Sequence, residues 1–347
     1  MEKYLLFLIF FLASCGKPIT EEKEYSYSTN ALHDGISTAI LLEVPMSLNF
    51  DYLPLKGELK SKNKFWSGDS WRLDKGAINY RWNSPTQEGF NYRSPGSREA
   101  FTYPRAMMEK LSPAEKYDLY MGRYDYPLKW EVDRVARSGS SSWEGLCHGW
   151  AGATINHPEP EPRIMTNPDG IEIPFGSSDI KALLTWAYSK VLIGDEESLG
   201  KRCDEEDSFH ENCDDDLSAL SFHVVLTNKL GLRSQPIIAD MDRYREVWNH
   251  PILSYESTIE RMVSSSTGRT AIIKTEMIYL DVLAQNTWEK HPAVKSRMTT
   301  RYQLEIDKAG NITKGKWLSR QRPDFFWTVK EQEKFDGHLS GVIDLIK

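Results

Sequence analysis

Two segments with helical period come first in this chain and a series of strand-like segments follows, an order that few architectures accommodate. Ser112-Pro-Ala-Glu115 reads as a capping box with proline at the first helical position, where its missing N–H is not needed. It opens a helix through Met121 that Gly122 stops. Ser177, Ser178 and Asp179 cap a second, Ile180 to Val191, whose apolar positions 180, 183, 184, 187 and 191 share one face. Beyond it, Leu220–Thr227, Pro236–Met241, Thr270–Leu283 and Arg301–Ile306 read as strands, and Asp307-Lys-Ala-Gly-Asn311 as a hairpin turn before Ile312. Helices first and adjacent strands afterwards describe an α+β fold, and no internal repeat offers an alternative.

A chain of 347 residues can bury one large core or two ordinary ones. Its 43 basic against 50 acidic side chains give a net charge of −7, without the basic footprint that nucleic-acid binding needs. The one long apolar run, Tyr4 to Ala13, is too short to span a hydrocarbon core of about 30 Å and fits a secretory signal. Its ending, Leu12-Ala13-Ser14-Cys15, resembles a bacterial lipobox, in which cleavage precedes the cysteine and the thiol of Cys15 is lipidated. An ordinary signal cut at a small residue is the competing reading. Residues 16–47 are mixed polar and read as a tether. The expectation is a signal peptide at 1–15, a tether at 16–47 and a folded domain at 48–347, with a helical half at about 104–195 and a sheet half at about 218–330. Such a chain would be exported and held by its lipid at the cell envelope, on the outer membrane or the cell surface.

Four cysteines then need places. Cys15 belongs to the lipobox. Cys203 and Cys213 stand in one polar, acidic loop, where a disulfide is sterically easy and an exported location permits it. A metal is the rival there, with His210 and several carboxylates nearby, but the spacing follows neither zinc nor calcium patterns, so no metal is expected. Cys147 is left over, and an unpaired thiol outside the cell is either inert and buried or reactive.

The segment Trp143-Glu-Gly-Leu-Cys147-His-Gly-Trp150-Ala-Gly-Ala-Thr-Ile155 favours reactivity. A thiol at a helix start is acidified by the unpaired N–H groups and the helix dipole. It needs a base, and the base an orienting group. His148 adjoins the cysteine, and side chains one apart on a helix do not face each other. His33 lies in the tether and His210 in the acidic loop. His223 sits on the expected strand Leu220–Thr227, either as a satisfied core histidine or as the base. Asp240, which closes the next expected strand, could reach its ring and stabilise the imidazolium. The Cys147 N–H and the Trp143 indole are candidate oxyanion donors, with core packing the alternative for Trp143.

These segments carry a resemblance. Trp143–Ala151, Ser178-Asp-Ile-Lys-Ala-Leu-Leu184, Phe222-His-Val-Val-Leu-Thr-Asn228, Glu246-Val-Trp-Asn-His-Pro-Ile252, Gly310-Asn-Ile312 with Gly315-Lys-Trp317, and Arg322-Pro-Asp-Phe-Phe-Trp327 look like the transglutaminase elicitor family, best known from oomycete cell-wall glycoproteins. Trp66-Ser-Gly-Asp-Ser-Trp71 and Arg81-Trp82 extend the similarity to most of residues 60–330. The resemblance implies a papain-like α+β fold and calcium-independent protein-glutamine γ-glutamyltransferase activity through a cysteine thioester, without a cofactor. Cys147 matches the family's nucleophile. For its partners, Asp179 in the matching Ser-Asp-Ile-Lys segment competes with His223 and Asp240, whose order and spacing resemble the wider transglutaminase core. The expected partners are a protein or peptide glutamine donor, an amine acceptor and the membrane through the lipid anchor, with no nucleic acid. A papain-like cysteine protease, a glutamine deamidase and a non-catalytic surface-binding lipoprotein are the other readings.

Overall fold

A computed structural model describes residues 46–60, 65–191, 197–200, 217–243, 245–329, 332 and 334–347. The signal sequence with Cys15, and the loop carrying Cys203, His210 and Cys213, lie outside them. Seven helices run in chain order among the described residues: α1 (Ser97–Ala100), α2 (Arg105–Met108), α3 (Pro113–Tyr120), α4 (Pro127–Asp133), α5 (Cys147–Asn156), α6 (Ser177–Val191) and α7 (Ala219–Val225). The strands are β1 (Lys56–Glu58), β2 (Arg163–Thr166), β3 (Glu172–Phe175), β4 (Glu197–Leu199), β5 (Ile238–Asp240), β6 (Asn249–Ser264), β7 (Gly268–Leu280), β8 (Lys295–Asp307), β9 (Ile312–Trp317) and β10 (Phe326–Thr328). No helix among the described residues is long and apolar enough to cross a membrane.

The local signals act where the sequence places them. Ser112 Oγ accepts the Glu115 N–H at 3.2 Å while the Glu115 carboxylate accepts the Ser112 N–H at 2.9 Å, so α3 starts on a closed capping box. At the β8–β9 hairpin, the Asp307 carboxylate accepts the Asn311 N–H at 2.8 Å, and Gly310 takes φ 89°, a conformation cheap only for glycine.

An eight-stranded antiparallel sheet runs in the order β4-β10-β5-β6-β7-β8-β9, with β1 added to β6, and β2 and β3 form a separate ribbon inside the helical half. Strand alternation sends neighbours to opposite faces. Ile238, Leu253 and Trp327 join the core built with α3, α5 and α6, while Ile237, Ala239, Ile252 and Phe326 join a second core built with α7. The sheet therefore separates two hydrophobic layers. The chain then returns to the helical side: a 3-10 helix at Gly337–Leu345 inserts Leu339, Val342 and Leu345, and the Tyr117 hydroxyl donates to the His338 carbonyl at 2.6 Å.

One expected strand is a helix. Leu220–Thr227 lies in α7 and the π-helical turns that continue it over Leu226–Leu232. Ser218 Oγ accepts the Ser221 N–H at 3.1 Å and so caps its start. Every residue of α7 is buried, and a short apolar run covered on all sides has no period by which strand and helix differ. The first element of the expected sheet half is thus helical.

Candidate active site

Helix α5 begins at Cys147, with Leu146 at its N-cap and the Leu146 N–H donating to the Ser70 carbonyl at 2.5 Å. Small residues let this helix lie tightly on α6: a Cβ built on Gly149 would stand 2.2 Å from the Thr185 carbonyl oxygen. The sulfur of Cys147 is buried against β6 and the turn before it, 3.6 Å from the Val247 carbonyl oxygen and 3.6 Å from Asn249 Nδ2. Asn249 is held in turn by the Trp327 indole N–H, which donates to Oδ1 at 2.7 Å. Asp240 sits opposite Asn249 on β5, and its Oδ1 accepts the N–H groups of Trp248 at 2.8 Å and Asp242 at 3.1 Å. It shapes the connection that delivers Val247 to the sulfur.

Cys147 is not the unpaired thiol that the cysteine count suggests. It is disulfide-bonded, with its partner outside the described residues. The Cys203–Cys213 bond expected from the sequence falls outside them too. Counting and loop length weigh only the ease of local closure, and cannot register which sulfur the fold carries to a distant one.

The imidazole in contact with α5 is His250. Cys147 and Trp150, three residues apart on one side of α5, both face β6, and the Trp150 indole meets the His250 ring edge-on at 5.9 Å. His250 Nδ1 lies 2.8 Å from the Leu280 carbonyl oxygen and 3.8 Å from Asp281 Oδ1. A carbonyl can only accept, so Nδ1 carries the proton and the lone pair belongs to Nε2. Burial pushes the imidazole below its usual range, while the Asp281 charge and the Leu280 carbonyl pull it partly back; the net shift is downward. Asp281 is itself fixed, receiving Ser296 Oγ–H at 2.5 Å and the Val282 N–H at 2.8 Å.

His223 is elsewhere. Its ring stacks on Phe50 in the α7 core, and Nδ1 lies 2.8 Å from the Tyr302 hydroxyl, which continues through Thr275 to Ser257. The sheet stands between that core and the layer of α5, so His223 is brought neither to Cys147 nor to the Asp240 carboxylate. Burial alone drives its pKa down to about 3. Asp179 is buried as well, taking up Lys116 Nζ at 2.6 Å, the Trp82 indole at 2.8 Å and the Gly176 N–H at 2.7 Å at the start of α6. That set anchors a helix. Trp143 packs half-buried against the helical core. Sequence reasoning passed over His250 and Asp281, which lie on β6 and just past the end of β7 and have no diagnostic spacing; the visible signal was His250 inside the quoted Val-Trp-Asn-His-Pro run. Among the described residues no group of three His, Cys, Asp or Glu is placed to hold a metal ion.

A family model described as transglutaminase elicitor matches residues 134–279, a span that holds Cys147 and His250 and ends two residues before Asp281. The fold superposes on the crystal structure of the GP42 transglutaminase from Phytophthora sojae with a TM-score of 0.63, over 87% of this chain and 93% of the other, at 18% identity. No curated protein matches the chain.

Proposed function

We propose that this protein, whose residues 134–279 match the family model described as transglutaminase elicitor, is a thiol acyltransferase that joins a glutamine side chain to an amine. The observation that carries the reading is that the helix begun by Cys147 sets its Trp150 against the ring of His250, which Asp281 backs at 3.8 Å. The order along the chain is still Cys-His-Asp, with His250 and Asp281 in the places expected of His223 and Asp240.

Because Cys147 is oxidised, the first requirement is a dithiol reductant. One of its thiolates attacks the bridge, the second closes on the mixed disulfide, and the dithiol leaves oxidised as a cyclic disulfide, freeing Cys147. His250 Nε2 then takes the thiol proton. The thiolate adds to the glutamine amide carbon, and the carbonyl electron pair moves to oxygen. As that pair returns, the imidazolium protonates the departing nitrogen, so ammonia leaves and a thioester remains. An amine attacks the thioester carbon, His250 removes the amine's proton, and the sulfur leaves as thiolate. The sum exchanges ammonia for the amine at the glutamine. Asp281 stabilises the transient imidazolium. Water at the thioester would yield glutamate instead, and the buried Trp150 on the helix of Cys147 works against it.

The same proposal places the enzyme outside the cell, anchored through a lipid on Cys15 and acting on proteins or peptides at the envelope. The test is incorporation of a labelled primary amine into a glutamine-containing protein by the reduced enzyme and by Cys147→Ala. Incorporation by the first alone is expected, and equal signals from both would end the reading. Ammonia release without incorporation would identify a deamidase. The sealed sulfur favours one rival of another class, a non-catalytic surface-binding lipoprotein, whose Cys147 after reduction would react with iodoacetamide at pH 6 no faster than a free thiol.

A further inference from the structure

The fold uses the oxygen of Asn249, which accepts the buried Trp327 indole N–H, but has less use for its N–H₂ end. It is buried beside Cys147, and among the described residues the acceptor its side-chain N–H₂ group meets is the sulfur, at 3.6 Å. A buried N–H₂ group with so weak an acceptor carries a desolvation cost that the bond to Trp327 does not require. Its orientation is nonetheless fixed. Trp327 Nε1 can only donate, so the amide atom it meets at 2.7 Å is the oxygen, and the N–H₂ end is turned toward Cys147. Trp327 is buried on β10, whose neighbour β5 pairs with the strand of Asn249, so the pair is set by sheet register.

We propose that Asn249 is a catalytic residue: its side-chain N–H is an oxyanion donor for the acyl group that Cys147 attacks, and Trp327 is the positioning residue that aims it. When the thiolate forms its bond to a carbonyl carbon, the π pair becomes a lone pair on oxygen, adjacent to the sulfur. A donor lying beyond the sulfur then comes within about 2.7–3.1 Å of that oxygen. The α5 dipole adds field from the other side, since first-turn N–H groups have no intrahelical acceptor and α5 carries no side-chain cap. The pairing also explains why a tryptophan on β10, remote in sequence, reaches the site. The inference rests on acyl chemistry at Cys147, as proposed above, but not on an amine being the acceptor.

Two reactions of the reduced protein separate the roles. Iodoacetamide alkylates the thiolate without forming an oxyanion. Propanal adds reversibly to give a thiohemiacetal, whose oxygen takes the place of the oxyanion and is read by protection of Cys147 from alkylation. In Asn249→Ala, propanal affinity and kcat for amine incorporation should fall about 10²-fold, with KM and the alkylation rate within twofold of wild type. Trp327→Phe should show a smaller loss of the same kind, and the double variant should be no worse than Asn249→Ala alone, because Trp327 acts through Asn249. Asn249→Gln, which keeps the donor, should recover part of the propanal affinity if the thermal transition shows that Asn249→Ala is poorly folded. Wild-type affinity for propanal no greater than that of N-acetylcysteine would overturn the proposal, as would equal falls in alkylation and propanal binding. Tight propanal binding without amine incorporation would leave Asn249 in its role and remove the transglutaminase reading instead.

Discussion

Two histidines are buried around the β5–β6–β7 region, and the two side chains have been given different surroundings. His223 meets hydroxyls and an aromatic ring, with burial as the whole cause of its low pKa. His250 meets a carbonyl, a carboxylate at 3.8 Å and the helix that carries Cys147, and there the charge of Asp281 opposes the effect of burial. An imidazole that must accept a proton and return it needs a partner for the cation and a fixed tautomer. Only the second environment supplies both. Linear order Cys-His-Asp is satisfied by either histidine, and what distinguishes them is contact with the helix that bears the sulfur.

Oxidation state is the largest lever on this difference. On the proposed chemistry neither histidine acts without a dithiol, and amine incorporation should be undetectable; with dithiothreitol it should appear, and Cys147→Ala should abolish it again. Next in size, His250→Gln should lower kcat/KM of the reduced enzyme by about 10²–10⁴-fold with little change in thermal transition, whereas His223→Gln should leave kcat/KM within twofold. The reverse result would break the comparison.

Asp281→Asn should cost less, on the order of tenfold in kcat. Because Asp281 raises the His250 pKa, its loss should also move the acid limb of the pH–rate profile to lower pH. The smallest expected effect concerns stability. His223 is held neutral with a pKa near 3, below its unfolded value of 6.5, so between those values the unfolded chain binds a proton that the folded one does not. Stability is therefore lost as pH falls through that window. His223→Gln should flatten the slope there by about 1.4 kcal/mol per pH unit, measured by urea unfolding at pH 4 to 6.

Legibility in the sequence followed the range of the interaction. The capping box of α3, the start of α6, the Asp307–Asn311 hairpin and the placement of Cys147 at a helix start are fixed by residues within a few positions, and all were readable. The α+β order was readable for the same reason. Leu220–Thr227 was not, because its neighbours in space bury it on every side and erase any period. His250 and Asp281 were unreadable as a pair, since β6 and β7 approach through bulged register and only that pairing sets them together. Asp179, with a catalytic-looking segment around it, turned out to neutralise a buried lysine.

The absence of a side chain at Gly149 has a consequence for how this site can change. With α5 pressed onto α6 at that point, an added methyl group would collide with the Thr185 carbonyl, so the helix that bears the sulfur cannot easily be re-aimed. The strands opposite, β5, β6 and β10, therefore meet a sulfur whose place the contact between the two helices has already settled.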